Sequence, residues 1–68
     1  MTELKVGDKV KINGYGRLLR KFVTSNKYVF FSDNVGIVHK IDSIKILVEL
    51  NTTIYIVHPK QCQLIEFV

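Results

Sequence analysis

The chain has 68 residues, 47% of them hydrophobic, no alanine, and a net charge of +4. That length makes one domain, 1–68, and the apolar share argues against disorder, although a domain this small buries only about 60% of the surface its unfolded chain exposes. Nine Val, eight Ile and four Thr favour pleated surfaces over helices, so the expected fold is all-β.

The first element is an alternating run from Val6, with Asp8 its only break. Val10 and Ile12 point one way and Lys9 and Lys11 the other, as in a half-buried strand. Asn13-Gly14 is a turn signal, since both residues tolerate positive φ. The next stretch, 15–34, is too long to be structureless in a compact domain. It parses as a hairpin in which 17–24 pairs with 27–32 across Ser25-Asn26. A helical turn over 18–22 is the alternative, opposed by Val23-Thr24 and the lack of a cap. Phe30 and Phe31 place one ring on each face of a strand. Asp33-Asn34 is a second turn signal. A strand over 35–42 follows, with Gly36 marking a bulge or a close backbone approach.

After a turn at Asp42-Ser43, the run 44–50 alternates cleanly. Ile44, Ile46, Val48 and Leu50 share one face, and Lys45, Leu47 and Glu49 the other. Asn51-Thr52-Thr53 is a tight turn into a strand over 54–58. Pro59 has no N–H for a ladder, so Pro59-Lys60-Gln61 suits a 3₁₀ turn before a short last strand over 62–66. The expected core is Val10, Ile12, Val38, Ile46, Val48 and Ile56. Leu47, Tyr55 and Val57 then form an outward apolar patch, covered by the insert or by a second copy of the chain.

Five short strands, a long first loop, two tight hairpins and a 3₁₀ turn resemble the SH3-like barrel. The expected architecture is therefore a small five-stranded barrel with a hairpin insert, 15–34, in the first long loop. Gly7-Asp8-Lys9-Val10-Lys11-Ile12 with Gly14, and later Gly36-Ile37-Val38-His39-Lys40-Ile41, resemble a KOW-type module. KOW modules join these halves by a short loop. Here 21 residues separate Gly14 from Gly36, so the insert stands where the usual nucleic-acid-contacting loop would be. The C-terminal half, ending in His58-Pro59-Lys60-Gln61-Cys62-Gln63-Leu64, is similar to small phage-encoded proteins with a His-Pro-Lys-Gln-Cys-x-Leu tail. That similarity implies a viral origin.

The charge is unevenly spread. Residues 1–34 hold seven Lys/Arg against three Asp/Glu, and residues 35–68 hold three of each. Within 15–31 lie Arg17, Arg20, Lys21 and Lys27, no acid, and five of the seven aromatics: Tyr15, Phe22, Tyr28, Phe30 and Phe31. Cations interleaved with aromatics can follow a phosphate backbone and stack bases. The bland alternative is a core-packing hairpin whose cations face water. The leading expectation is a non-enzymatic nucleic-acid-binding module using Lys9, Lys11, Tyr15, Arg17, Arg20, Lys21, Lys27 and Tyr28. The other is a protein-interaction module, such as a small phage factor that binds and modulates a host protein, or a self-associating accessory protein (a homo-oligomer).

Catalytic and metal chemistry have little to work with. His39, His58 and Cys62 are the only nitrogen and sulfur ligand candidates, and a structural zinc site wants four ligands, usually in paired short spacings. The carboxylates are spread singly, and Gly14-x-Gly16 lacks the strand-to-helix context of a phosphate loop. No enzyme activity, metal or cofactor is expected. A lone cysteine cannot staple its own chain, residues 1–8 lack the apolar core of a secretory signal, and no apolar run approaches the roughly 20 residues that span a membrane. The expected location is the cytoplasm, that of the host if the chain is phage-encoded, with no membrane partner.

Overall fold

A computed structural model describes residues 3–20 and 23–65, without the side chains of residues 20 and 23–25. The chain forms β1 (Lys9–Arg20), β2 (Val23–Ile41), β3 (Ile46–Leu50), β4 (Thr53–Val57), a 3₁₀ turn (Pro59–Gln61) and β5 (Cys62–Leu64). All pairings are antiparallel. β1 bonds to β2, β2 to β3, β3 to β4, and β4 returns to the far half of β1. Four strands thus close into a small barrel, and β5 bonds on the outside, against Val10–Ile12 of β1. The fold is the expected all-β small barrel, consistent with an SH3-like architecture, but four strands close it where five were expected, because β5 pairs only with β1. Among the described residues, no helix is long and apolar enough to cross a membrane.

The core follows from alternation. Val10, Ile12, Phe31, Val38, Ile46, Val48 and Val57 are buried, and Leu4, Leu50, Tyr55 and Cys62 pack against them. Each fully buried aliphatic side chain is worth about 1.5–3 kcal/mol of transfer energy. Five of the six expected core residues are in place, and the sixth differs. Ile56 is only half-buried, and its neighbour Val57 takes the inward position. The cause is the β3–β4 turn. Asn51 (φ 49°) and Thr52 (φ 66°) both have positive φ, and Leu50 pairs with Thr53, a two-residue hairpin turn. That register sets Tyr55 opposite Val48 and Val57 opposite Ile46. Tyr55 and Val57 therefore join the core instead of an outward patch, and Leu47, Ile54 and Ile56 take the outer face, each half-buried.

The hairpin expected in the first long loop is present, but its turn signals do not reverse the chain. Asn13-Gly14 lies inside β1 and Asp33-Asn34 inside β2, facing each other where the register shifts between Ile12 and Gly14. Gly14 (φ 89°) and Asp33 (φ 54°) do adopt positive φ. Asn13 Nδ2 donates to Asp33 Oδ1 (3.0 Å), and the Asp33 N–H donates to Asn13 Oδ1 (2.9 Å). Two turn formers across a ladder have made a bulge, which bends both strands without ending them. Ser25-Asn26 does the same further out. Arg17 pairs with Tyr28 and Leu19 with Thr24, so residues 25–27 face Leu18 in a second irregularity, and Arg20 pairs with Val23.

Two more boundaries differ. Val6 is exposed beside a turn, in which Lys5 N–H donates to Asp8 Oδ2 (2.8 Å) and Asp8 N–H to the Lys5 carbonyl (3.0 Å). Ile44 sits outside the barrel at 74% exposure, because Asp42 N–H bonds to the Lys45 carbonyl and the strand starts only at Ile46. Gly36 marks the expected close approach. A Cβ there would lie 2.7 Å from Leu50 Cδ1 and 3.1 Å from the Glu49 carbonyl oxygen.

Candidate nucleic-acid interface

Residues directly opposite in an antiparallel pair share a face. The outward face of β1–β2 therefore carries Lys9 with Ile37, Lys11 with Val35, Tyr15 with Phe30, and Arg17 with Tyr28. Tyr15 (65% exposed), Phe30 (62%) and Tyr28 stand out from the barrel, whereas Phe31 (4%) points inward, as the alternation of adjacent aromatics requires. Tyr15 and Phe30 meet edge to face, with ring centroids 5.1 Å apart at 62°. The Arg17 guanidinium lies 5.1 Å from the centre of the Tyr28 ring, and its Nε (3.0 Å) and Nη2 both donate to Tyr28 Oη. Each pair holds its partner's rotamer, which lowers the entropy lost when a ligand stacks on it. Among the described residues, Nη1 and the second Nη2 hydrogen of Arg17 have no protein acceptor.

Gln61 anchors this row. Its Nε2 donates to the carbonyls of Asn13 (3.0 Å) and Tyr15 (2.8 Å), and its Oε1 accepts from the His58 N–H (2.8 Å). A Cβ on Gly14 would fall 2.9 Å from that same Nε2. Glycine thus serves twice at this bend, for its positive φ and for the approach of Gln61. His58 caps the 3₁₀ turn, its Nδ1 accepting from the Lys60 N–H (3.1 Å).

Beside the row lies a shallow cleft of about 240 Å³. Tyr15, Arg17 and Tyr28 form one wall, Ile44 and Lys45 the other, Ile56, with the buried Val57 beside it, the floor, and His58 and Gln61 the end. Among the described residues, no carboxylate lines it. On the outward face itself, Glu49 pairs with Ile37 and so shares the face of Lys9, and the Asp33 carboxylate accepts from Asn13 at the bend.

Of the eight residues expected to bind nucleic acid, Lys9, Lys11, Tyr15, Arg17 and Tyr28 lie on this one face. Lys27 lies apart, exposed beside the second irregularity. It lines a cavity of about 580 Å³ with Leu18, Leu19 and residues 52–55. The Arg20 side chain, and Lys21 and Phe22 entirely, lie outside the described residues. Sequence reasoning passed over Lys45, Ile44 and His58, which reach the cleft from distant segments with no spacing signal.

His39 Nδ1 is 3.9 Å from Glu49 Oε1, on the surface. Cys62 is half-buried, and burial pushes its thiol up from 9.0 to about 11, away from the reactive thiolate. Among the described residues, no three His, Cys, Asp or Glu side chains converge as metal ligands would. Compared with known proteins, the chain matches no family model, no curated protein and no solved structure.

Proposed function

We propose that the protein is a non-enzymatic module that binds nucleic acid along the outward face of β1–β2. The observation that carries this reading is the row of exposed Tyr15, Phe30 and Tyr28 rings in file with Arg17, Lys11 and Lys9. Each ring offers a stacking platform worth about 1–3 kcal/mol per base, and each cation that meets a phosphate adds a salt-dependent contact. The resemblance of 7–14 and 36–41 to KOW-type modules supports the same reading. The tail resemblance, 58–64, supports a phage origin, which would set the protein in a host cytoplasm.

The test is an anisotropy titration with a generic oligonucleotide at two salt concentrations. Affinity is expected to fall with salt by a slope of about −0.7 per phosphate contact on a single strand or about −0.9 on duplex. Replacing Lys11 with Ala is expected to flatten the slope by about one contact's worth. Replacing Tyr28 with Ala is expected to weaken binding by about 1–3 kcal/mol. Absence of binding at low salt refutes the reading. One observation favours a second reading, a protein partner: Val35 and Ile37 are exposed on the same face, and aliphatic side chains offer no stacking surface to bases. In that case Val35 and Ile37 are the first residues to replace.

A further inference from the structure

We infer that the cleft between the Arg17–Tyr28 pair and Ile44-Lys45 receives a single unstacked base of a bound strand, so that the module requires single-stranded ligand. The inference rests on the nucleic-acid reading above and adds where one base goes. Ligand pockets for drug-sized molecules run to roughly 300–1,000 Å³. A cleft of about 240 Å³ suits something smaller and flat. Its floor is apolar, one wall carries aromatic rings, and Arg17 and Lys45 stand on opposite walls with no acid between them. A base on the floor would thus have a cation on either side for its flanking phosphates.

The polar groups at the closed end limit what the base can present. Both Nε2 hydrogens of Gln61 are in hydrogen bonds, so its amide has no donor left, and its Oε1 accepts from the His58 N–H. His58 has committed Nδ1 as an acceptor, so the neutral ring carries its proton on Nε2, and Nε2–H is the donor left over. The cleft therefore favours a base that turns an acceptor edge toward His58. Ile44 gives the second, independent sign. It is the most exposed large hydrophobic side chain among the described residues at 74%, and it contributes nothing to the core. A base seated in the cleft would cover it. A duplex cannot supply such a base, because its bases are stacked and paired.

The experiment compares two labelled strands of equal length at low salt by anisotropy: oligothymidylate, and the same strand with abasic residues throughout. Each is titrated with the unaltered protein, with Ile44→Ala, which leaves the core untouched, and with Phe30→Ala, which removes a ring of the row that does not itself line the cleft. Oligothymidylate is expected to bind tighter than the abasic strand by roughly 10-fold or more. Ile44→Ala is expected to remove about 5- to 10-fold of that preference, without changing the salt slope or the abasic affinity. If Ile44→Ala binds both strands like the unaltered protein while Phe30→Ala weakens oligothymidylate, bases stack only on the row and the cleft assignment is overturned. If both strands bind equally, base capture is overturned while backbone binding stands. If neither strand binds, the nucleic-acid reading itself falls.

Discussion

Gly16 is buried where the Phe31 ring crosses β1, and the two positions are expected to be energetically coupled. A Cβ on Gly16 would lie 2.6 Å from Phe31 Cε2, 3.4 Å from Cδ2 and 3.0 Å from Val57 Cγ1. Phe31 and Val57 are both core residues, so neither can swing into solvent. Gly16 is not among the residues with positive φ, so its backbone accepts alanine, and on that count alone Gly16→Ala would stabilise by about 0.4–1 kcal/mol. Overpacking costs about 1–3 kcal/mol, which leaves a net loss of about 1–2 kcal/mol. Phe31→Leu removes ring atoms and is expected to cost about 1–2 kcal/mol by itself. In the double variant the new methyl enters the space the ring vacated. Gly16→Ala should then cost little, the remaining 3.0 Å approach to Val57 Cγ1 being offset by the backbone gain from alanine, giving a coupling of about 1–2 kcal/mol. Urea unfolding followed by circular dichroism measures all four corners of the cycle. The total stability, roughly 3–10 kcal/mol for a domain of this length, leaves room for both substitutions. Additive losses, or a Gly16→Ala variant as stable as the unaltered chain, would refute the packing argument.

Other consequences are simpler to check. Gln61→Leu removes three hydrogen bonds at the bend of β1 and is expected to lower stability by about 2–4 kcal/mol in the same unfolding assay. Thr52 is β-branched at φ 66°, so Thr52→Gly is expected to relieve strain and raise stability by about 1 kcal/mol. Raising the Cys62 thiol from 9.0 to about 11 leaves about 100-fold less thiolate at pH 8 than in the unfolded chain, so iodoacetamide should label the folded protein far more slowly. The sign for stability follows. The folded thiol keeps a proton that the unfolded chain releases above pH 9, so this contribution is intact below pH 9 and is lost as pH rises toward about 11.

The barrel was legible because the polar phase was. Lys9 and Lys11 mark the outward side of β1, and Glu49, with Lys45 just before the strand, marks that of β3. Val10, Ile12, Ile46 and Val48 all lie in the core. β4 offers no such phase. Ile54-Tyr55-Ile56-Val57 is apolar on both sides, and its inward residues are chosen by the tight turn and the register with β3. The turn residues were read correctly as backbone chemistry and wrongly as topology. Asn13, Gly14, Asp33 and Asn34 could each start a reversal, but when two such pairs face each other the ladder continues through a bulge. Sequence separation cannot reveal that meeting. The row on β1–β2 was visible as interleaved cations and aromatics, and Phe30 as one of two adjacent rings. The cleft was not, because Lys45 and His58 reach it only through closure of the barrel.

The most direct test of the central claim is heteronuclear NMR of the labelled protein titrated with a short single-stranded oligonucleotide at low salt. The largest shift changes are expected at the ring signals of Tyr15, Tyr28 and Phe30 and at the Arg17 Nε–H, with Lys9 and Lys11 following. Changes confined to the separate pocket around Leu4, Ile41 and Leu64, or no changes at all, would contradict it.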